Sequence, residues 1–495
     1  MTGGDTIVTT TVDPSADVVE THSAIVFFVG ERAYKLKKPV QFGFLDFRRR
    51  EVRQQVCHRE VALNRRLAPD VYLGVADVAG PDGLPCDHLV VMRRMPSDRR
   101  LSAIASAGAM IDDDLRRLAH LLASFHAAAA TSHEIEGAAS RDAQVERWTA
   151  NTADMRRFVG PVLDASTSER VIDLAQRYLA GRAALFADRI AGGHARDGHG
   201  DLLADDIFLL PDGPRVLDCI EFDDRLRWGD TLADVAFLAM DLERLGRADL
   251  GTRFLELYRE FAADTWPASL AHHYIAYRAQ VRAKVACLRW EQGDPGSGAA
   301  ARDLLALAAR NLDAGRVRLV LVGGLPGTGK STLAAHIAAA LGAVLLRSDV
   351  VRKQSAGVDL ATPAPARFAT GLYRPEVTEA TYGELMARAR VALGHGESVV
   401  LDASWSRAVY RERAATVAAE TSSGLHELHC TAPTTVIEAR LSARSTRGDD
   451  ASDADARIAR ALAEIEAPWP TATPIDTTGA VGDVLHTALV RLGAR

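Results

Sequence analysis

Residues 316–332 of this 495-residue chain read Arg316-Val-Arg-Leu-Val-Leu-Val-Gly-Gly-Leu-Pro-Gly-Thr-Gly-Lys-Ser-Thr332. The apolar run at 316–322 predicts a buried strand, and the spacing of apolar residues at 333–341 predicts a helix after the glycines. The pattern G-x-x-x-x-G-K-S, which begins at Gly324, therefore has the strand–loop–helix context of a phosphate-binding loop. A glycine-rich turn that binds nothing is the alternative. The context favours binding of a nucleoside triphosphate.

The residues of this loop have separate roles in binding phosphate. Glycines let backbone N–H groups converge on an anion, and the helix N-terminus adds partial positive charge. We expect Lys330 to reach the outer phosphates and the hydroxyl of Ser331 to ligand Mg²⁺. The predicted nucleotide-binding residues are Gly324, Leu325, Pro326, Gly327, Thr328, Gly329, Lys330, Ser331 and Thr332.

The composition of the chain argues against several classes of protein. Hydrophobic residues make up 47% and charged residues 25%, and the formal net charge is −6, so no global basic field favours a nucleic-acid partner. The N-terminus lacks a signal-peptide pattern, and no apolar run approaches the ~18 residues of a membrane span. Five widely spaced cysteines form no metal-binding or disulfide pattern. These features predict a cytoplasmic protein without a membrane partner, and they leave the oligomeric state open.

Glycine, proline and serine cluster at 292–298 and indicate a boundary between domains. The chain is long enough for two to four domains of about 100–200 residues each. We predict a first domain at 1–298, with a strand-rich lobe at about 1–100 and a helical lobe at about 101–298. A connecting helix is predicted at 299–315, and the domain that carries the phosphate-binding loop at 316–495.

A second group of acidic residues lies in the first domain. His199-Gly-Asp-Leu-Leu-Ala-Asp-Asp206 is followed by Val216-Leu-Asp218, so two acidic segments stand close together in the sequence. Phosphoryl transfer needs one carboxylate near the acceptor hydroxyl and further oxygen ligands for Mg²⁺. Alone, the tripeptide at 199–201 would suggest a capped turn. The paired segments favour Asp201 as catalytic base and Asp218 as metal ligand.

With these residues the chain resembles the aminoglycoside phosphotransferase group of kinase-like proteins, over about residues 20–290. Residues 228–236 are similar to the structural helix that follows the metal-binding Asp in that group. Tyr34-Lys-Leu-Lys-Lys-Pro39 resembles the strand with the phosphate-binding lysine, and Glu60 stands where its partner glutamate is expected. Lys35 and Lys37 point to the same face of a strand, so periodicity does not choose between them.

The chain also departs from that group. Asp206 stands where the group has an asparagine metal ligand, and no glycine-rich loop precedes the lysine strand. An aspartate is still an oxygen ligand for a divalent ion. Two interpretations remain for the first domain: an active kinase with Asp206 and Asp218 as metal ligands, or a regulatory or binding module of kinase-like fold.

The C-terminal domain resembles P-loop kinases of the zeta-toxin and gluconate-kinase type. Asp349 follows a short apolar stretch, and the resemblance implies that it orients the acceptor hydroxyl; a helix cap is the alternative. Asp402 follows the apolar run at 399–401 and corresponds to the acid that supports Mg²⁺. The nearby residues 405, 407 and 411 either line an acceptor pocket or make surface contacts.

An arginine-rich segment follows in the same domain. Helical spacing places Arg440 and Arg444 on one face, with Arg447 close by, before an acidic segment at 448–455. The segment resembles a kinase lid, whose arginines stabilise the charge that develops on the transferred phosphoryl group. A solvated arginine-rich helix is the alternative.

Together these resemblances imply a fold of mixed α/β and α+β class. A two-lobed protein-kinase-like domain would precede a P-loop NTPase domain with a parallel sheet flanked by helices. The implied activity is transfer of a phosphoryl group from ATP, with Mg²⁺, to a hydroxyl of a small molecule, in one domain or in both. A nucleotide sensor that does not catalyse transfer is the rival hypothesis.

Overall fold

The computed structural model describes residues 17–20, 23–42, 45–359, 374–447, 462–464 and 466–493. Contacts divide the chain into two compact units, the first formed by residues 1–138 and 194–264 and the second by 139–193 and 265–495. Compactness therefore groups part of the predicted helical lobe with the P-loop region. The domain boundaries inferred from sequence resemblance stay a prediction.

The described part of the chain is built from helices and strands in nearly equal number. The helices are α1 (Arg50–Asn64), α2 (Leu101–Ser106), α3 (Asp112–Ala128), α4 (His133–Ala139), α5 (Arg141–Met155), α6 (Ala165–Ala180), α7 (Ala183–Ala191), α8 (Thr231–Arg244), α9 (Ala248–Ala262), α10 (Ala268–Glu291), α11 (Ser297–Ala314), α12 (Lys330–Leu341), α13 (Ser348–Ser355), α14 (Pro375–Gly394), α15 (Ala408–Glu420), α16 (Thr434–Arg447) and α17 (Val481–Arg491). The strands are β1 (Asp17–Glu20), β2 (Ala24–Val29), β3 (Arg32–Lys37), β4 (Gln41–Phe42), β5 (Leu45–Asp46), β6 (Tyr72–Ala79), β7 (Pro85–Arg93), β8 (Ala195–Asp197), β9 (Ile207–Leu210), β10 (Gly213–Val216), β11 (Trp228–Asp230), β12 (Arg318–Gly323), β13 (Val344–Arg347), β14 (Val399–Asp402), β15 (Gly424–Thr431) and β16 (Thr473–Asp476). Short 3-10 turns lie at Ser97–Arg99, Arg156–Phe158, Ala204–Asp206 and Asp224–Leu226. Within these residues no helix is long and apolar enough to cross a membrane.

The first unit contains a five-stranded antiparallel sheet in the order β1-β2-β3-β7-β6. Strands β2 and β3 form a hairpin with a tight turn at Gly30, whose φ of +55° favours glycine. Helix α1 packs on the sheet with Cys57 and Val61, which join a core with Ala33 and Val90. Residue 60 lies on the same helix face, because positions three and four apart are neighbours. The helix therefore carries a carboxylate to the sheet together with its apolar residues.

The second unit contains a five-stranded parallel sheet in the order β13-β14-β12-β15-β16. All residues of β12 and β14 are buried, as expected for central strands of a parallel sheet that helices cover on both faces. Helices α12 and α17 cover one face through a core that includes Leu333, Ile337 and Val484. The antiparallel sheet and the parallel sheet confirm the predicted fold class.

Helices from before the P-loop also pack within the second unit. Arg182, at the start of α7, donates a hydrogen bond to the carbonyl of Thr421, and the hydroxyl of Ser269 donates to the carbonyl of Gly396 at 2.7 Å. A Cβ at Gly181 would lie 2.0 Å from the Thr421 oxygen, so the backbones touch there. These contacts explain why residues 139–193 and 265–314 group with the parallel sheet.

Candidate active sites

The phosphate-binding loop connects the C-terminal end of β12 to α12. Gly324, Gly327 and Gly329 have φ values of +134°, +84° and +85°, which side chains rarely tolerate. A Cβ at Gly324 would lie 2.6 Å from the carbonyl oxygen of Cys430 on the neighbouring strand β15. The glycines therefore serve both the loop conformation and its close approach to the sheet. Lys330 and Ser331 begin α12, where the helix N-terminus attracts an anion.

This loop forms one wall of a cavity of about 580 Å³. Lys330, Ser331 and Thr332 line the cavity on one side, and Arg440 and Thr477 line it on the other. The last strand is tied to the loop because the Thr477 hydroxyl lies 2.5 Å from the Thr328 carbonyl oxygen. The cavity thus has the lining that a nucleotide requires: a helix N-terminus, a lysine, an arginine and hydroxyl groups.

Three arginines are predicted for a lid, and the structure describes the side-chain contacts of one of them, Arg440. Its guanidinium donates to the carbonyl of Thr477 at 2.7 Å and to the Thr477 hydroxyl at 3.2 Å. A Cβ at Gly329 would lie 3.3 Å from the same guanidinium, so Arg440 lies beside the phosphate loop. Arg444 and Arg447 belong to the same helix, α16, but their side chains and residues 448–461 lie outside the described part.

Asp402 ends β14 directly beside the phosphate loop, since it is paired in register with Val322 of β12 and Arg347 of β13. Its Oδ2 accepts a hydrogen bond from Nε of Arg347 at 3.3 Å, whereas its buried Oδ1 has no partner among the described residues. Burial raises the pKa of Asp402, and the Lys330 charge and Ser331 hydroxyl act in the opposite direction. A buried carboxylate oxygen without a partner, next to a hydroxyl, fits a Mg²⁺ site.

Asp349 lies in the first turn of α13, one residue after the helix begins. The residue at the N-cap position is Arg347, and no side chain caps the helix. Asp349 instead accepts a hydrogen bond from Arg352 at 2.8 Å. Its carboxylate is therefore held at the carboxyl end of β13, beside the strand that ends at Asp402.

Residues 405 and 411 differ from both sequence interpretations, whereas residue 407 lies at the surface. Trp405 is fully buried, and its backbone N–H lies 3.3 Å from the hydroxyl of Tyr382. Arg411 is also buried and donates to the carbonyls of Trp405 and Pro468 at 3.0 and 2.8 Å. Only Arg407 remains at the surface side, where its guanidinium lies over the ring of Tyr410. Trp405 and Arg411 thus hold the chain after β14 in place.

In the first unit, both lysines of β3 bind the same glutamate. Glu60 is fully buried and lies 2.9 Å from Lys35 and 2.6 Å from Lys37. Lys35 also pairs with Asp218 at 2.5 Å, and Lys37 pairs with Glu221. Burial opposes ionisation of Glu60, but the charges of Lys35 and Lys37 outweigh it and lower its pKa. The pair to Asp218 marks Lys35 as the lysine that faces the predicted metal-binding acid.

The predicted acids of the first unit influence one another electrostatically. Desolvation and the nearby charges of Asp218 and Asp201 raise the pKa of Asp206 well above its ordinary value. Asp218 has a φ of +64° and its backbone N–H donates to the hydroxyl of Tyr72 at 3.1 Å. No group of three or more His, Cys, Asp or Glu residues in the described ranges is arranged to hold a metal ion. Asp206 and Asp218 as metal ligands therefore stay a prediction.

Two aspartates on α8 position the loop that carries Asp201. Asp234 accepts hydrogen bonds from the backbone N–H groups of His199 and Gly200, both at 2.8 Å. Asp241, two helical turns later, accepts from the N–H of Ala204 at 2.9 Å. Sequence reasoning identified the helix at 228–236 but not these roles. The i, i+7 spacing of the two acids on one helix is the signal that would have suggested them.

The lowered pKa of the buried His199 leads to a prediction of how the stability of the first unit depends on pH. Burial lowers the pKa of His199 to about 4, against about 6.5 in an unfolded chain. Between these values only the unfolded state binds the proton, so stability falls as pH falls, by up to about 1.4 kcal/mol per pH unit. We expect His199→Gln, measured by urea unfolding between pH 7 and 5, to show a shallower pH dependence than wild type. Equal slopes would contradict this assignment.

Comparison with protein-family models gives one match in the second unit. The model described as "AAA domain" matches residues 319–468, which include the phosphate loop, Asp349 and Asp402. The resemblance of this part to a P-loop domain is thus confirmed.

Solved structures resemble each part of the chain separately. A sugar kinase from Janibacter is 21% identical, covers 36% of this chain and 95% of its own length, and has a TM-score of 0.28. A choline/ethanolamine kinase family protein from Mesorhizobium loti is 14% identical, covers 61% of this chain and 93% of its own length, and has a TM-score of 0.38.

Two mycobacterial relatives match nearly the whole chain. Uncharacterized protein Rv2004c of Mycobacterium tuberculosis (strain ATCC 25618 / H37Rv) is 44% identical over 480 residues, which are 96% of this chain and 96% of that protein. Uncharacterized protein Mb2027c of Mycobacterium bovis matches to the same extent. The chain, with its P-loop domain, belongs to the same protein family as these two proteins.

Proposed function

We propose that this protein is an ATP-dependent phosphotransferase that moves the γ-phosphoryl group of Mg·ATP to a hydroxyl of a small molecule. The second unit is the principal catalytic unit, and the kinase-like first unit is a second one. In this proposal the protein acts in the cytoplasm and has no nucleic-acid partner, because its net charge of −6 offers little attraction for phosphodiester backbones.

One observation carries the proposal. The cavity of about 580 Å³ opens onto the N-terminus of α12, and the buried Oδ1 of Asp402, at the end of the adjacent strand, has no hydrogen-bond partner among the residues that the structure describes. A site that binds only an anion would need the phosphate loop but no carboxylate beside it. An acidic group beside Lys330 and Ser331 supports a site for a nucleotide with its divalent ion, as phosphoryl transfer requires.

The residues of the second unit then have distinct tasks in transfer. Lys330 and the N–H groups of the loop offset the negative charge on the transferred phosphoryl group. Asp349, held by Arg352, orients the acceptor hydroxyl and accepts its proton. Arg440 closes the side of the cavity that Thr477 forms. Ser331 and Asp402 would hold Mg²⁺, which would neutralise negative charge on the phosphates of the nucleotide.

In the first unit, the proposed roles follow the same chemistry. Asp201 would accept the proton of a second acceptor, and Lys35 would bind phosphate after exchanging its contact with Asp218. Burial, together with the charges of Asp218 and Asp201, raises the pKa of Asp206. A divalent ion held by Asp206 and Asp218 would offset the negative charge of these acids.

The alternative function is nucleotide sensing, with the first unit as a degenerate ligand-binding module. A specific observation favours it: Lys35 and Lys37 are both engaged in ion pairs, with the buried Glu60 and Glu221 and with the partly exposed Asp218. Breaking such pairs is costly, so a ligand would have to replace their charges well. In this hypothesis only the second unit binds ATP.

Transfer of labelled phosphate tests the two hypotheses. The full chain is incubated with Mg²⁺, γ-labelled ATP and a panel of sugars, nucleosides and aminoglycosides, and labelled products are separated. We expect Asp349→Asn to lower transfer to its acceptor by about 10²–10⁴-fold, as for loss of a positioned base. Loss of transfer to a different acceptor in Asp201→Ala would establish a second kinase site. Tight ATP binding by the wild-type chain without labelled product would support the sensor.

A further inference from the structure

A second cavity of the parallel-sheet unit lies away from the phosphate loop. Its volume is about 140 Å³, several times the roughly 30 Å³ of a water molecule. Residues of α6, α10 and the segment just before β12 line it, together with Arg182, Arg318 and His426. The cavity therefore lies at the N-terminal ends of β12 and β15, whereas the phosphate loop follows the opposite end of β12. At ~3.3 Å per residue, the six residues of β12 separate the two sites by roughly 20 Å.

Arg182 is buried at this cavity and has no carboxylate partner in the part of the chain that the structure describes. It is 1% exposed, and its guanidinium donates to the carbonyls of Gly181 and Thr421, both at 2.8 Å, and to the Ser423 hydroxyl at 3.5 Å. Its Nε has no hydrogen-bond partner among the described residues. The carbonyl of Thr421 ends α15, so the arginine suits that helix terminus. The guanidinium also lies 5.4 Å from the centre of the Tyr178 ring, so its described neighbours are backbone carbonyls, a hydroxyl and an aromatic ring, none of which carries a full negative charge.

Arg318, which also lines the cavity, is a second buried arginine whose guanidinium donates to a backbone carbonyl. It is 7% exposed and donates to the carbonyl of Arg316 at 3.1 Å, while its Nε has no partner in the described part of the chain. Asp313 attracts it from a distance, but that carboxylate is already bound by Arg170 and Arg316. Burying a charge without a partner costs several kcal/mol.

A third buried donor comes from His273. Its Nε2 accepts a hydrogen bond from the indole N–H of Trp148 at 3.2 Å, which places the ring proton on Nδ1. The His273 ring is stacked on Tyr178, and its Nδ1 has no partner in the described residues. Arg182, Arg318 and His273 all line this one small cavity, and each has a buried side-chain nitrogen without an acceptor among the described residues.

The other charged groups that line this cavity leave its electrostatic environment positive. Asp173 pairs with Arg177 at 3.2 Å, and both side chains are more than half exposed. Burial and the nearby charges of Arg318 and Arg316 lower the pKa of His426, as expected in a positive electrostatic environment.

We propose that this cavity binds a tetrahedral oxyanion, either inorganic phosphate or the phosphoryl group of a small phosphomonoester. Arginine has only donors, and planar guanidinium groups match phosphate oxygens. A phosphate supplies several acceptor oxygens and a charge of about −2, which would compensate the positive charge of both arginines. The limited volume excludes a nucleoside triphosphate, so this site is distinct from the nucleotide cavity.

Calorimetric titration of the full chain with inorganic phosphate, in phosphate-free buffer, tests the proposal. Lys330→Ala serves as the background, because it weakens phosphate binding at the P-loop without touching this cavity. We expect the background protein to bind phosphate and the added substitution Arg318→Gln to weaken binding at least tenfold. Titration with glycerol phosphate in parallel distinguishes the free ion from a phosphomonoester by which of the two binds more tightly.

Two further variants make the result specific. Arg182→Gln should weaken binding as Arg318→Gln does, and thermal melting in the absence of phosphate shows whether each variant folds. Arg177→Gln is the matched control, since it also removes a guanidinium from the cavity wall but an exposed and paired one; its affinity should stay within twofold. Unchanged affinity in folded Arg318→Gln and Arg182→Gln proteins, or no phosphate binding by the Lys330→Ala background, would overturn the proposal.

Discussion

Replacing Lys330 with alanine should reduce ATP turnover by about 10²–10³-fold, the usual cost of removing one donor that stabilises transferred charge. Lys330 begins α12 and lines the nucleotide cavity beside Ser331 and Asp402. Among residues 324–332, Lys330 is the one residue with a charged side chain. The measurement is ATP hydrolysis or transfer at saturating Mg²⁺, together with nucleotide affinity by calorimetry.

Lys284→Ala is the matched control for this prediction. It also removes a lysine from the second unit, but one at the surface that pairs with Asp154 at 3.3 Å, so turnover should stay unchanged. Equal turnover in Lys330→Ala and wild type would place catalysis elsewhere and remove the principal support for the proposed function. Turnover that persists only in part, and depends on Asp201, would assign the remainder to the first unit.

Asp234→Ala should destabilise the first unit by about 3–5 kcal/mol. The carboxylate is 4% exposed and accepts from the N–H groups of His199 and Gly200 and from Nε2 of His126 at 3.1 Å. Alanine would leave two backbone N–H groups and an imidazole buried without an acceptor. Urea unfolding, followed by hydrogen exchange of the 199–206 loop, measures the effect.

Asp241→Ala is the comparison for this second prediction. Asp241 is equally buried and lies on the same helix, but it accepts only one loop N–H, from Ala204, and its other partner, Arg244, is partly exposed. Its loss should therefore cost less than the loss of Asp234. If both substitutions change the unfolding free energy by less than about 1 kcal/mol, α8 does not hold the loop in the way the hydrogen bonds suggest.

The nucleotide site was largely predictable because its parts are consecutive in the chain. Gly324–Gly329 form one loop between an apolar strand and a helix that begins at Lys330, which is the context that the phosphate-loop motif requires. The kinase-like region was harder to interpret, because Lys35, Glu60 and Asp218 meet only across the sheet and α1. Alternation in β3 left the two lysines equivalent, whereas the structure shows that both bind Glu60 and only Lys35 binds Asp218.

Local sequence patterns determined the helices and strands. Packing between distant segments determined which side chains of the described residues lack hydrogen-bond or charge partners. The run of apolar residues and glycines by itself determined a central strand, a phosphate loop and a helix, since those preferences depend on neighbours within about ten residues. The burial of Trp405, the anchoring of Arg440 on Thr477 and the meeting of the buried residues Arg182, Arg318 and His273 at one cavity depend on segments that are distant in the sequence. Only the tertiary structure decided these, because solvent exclusion and charge compensation are properties of the packed chain.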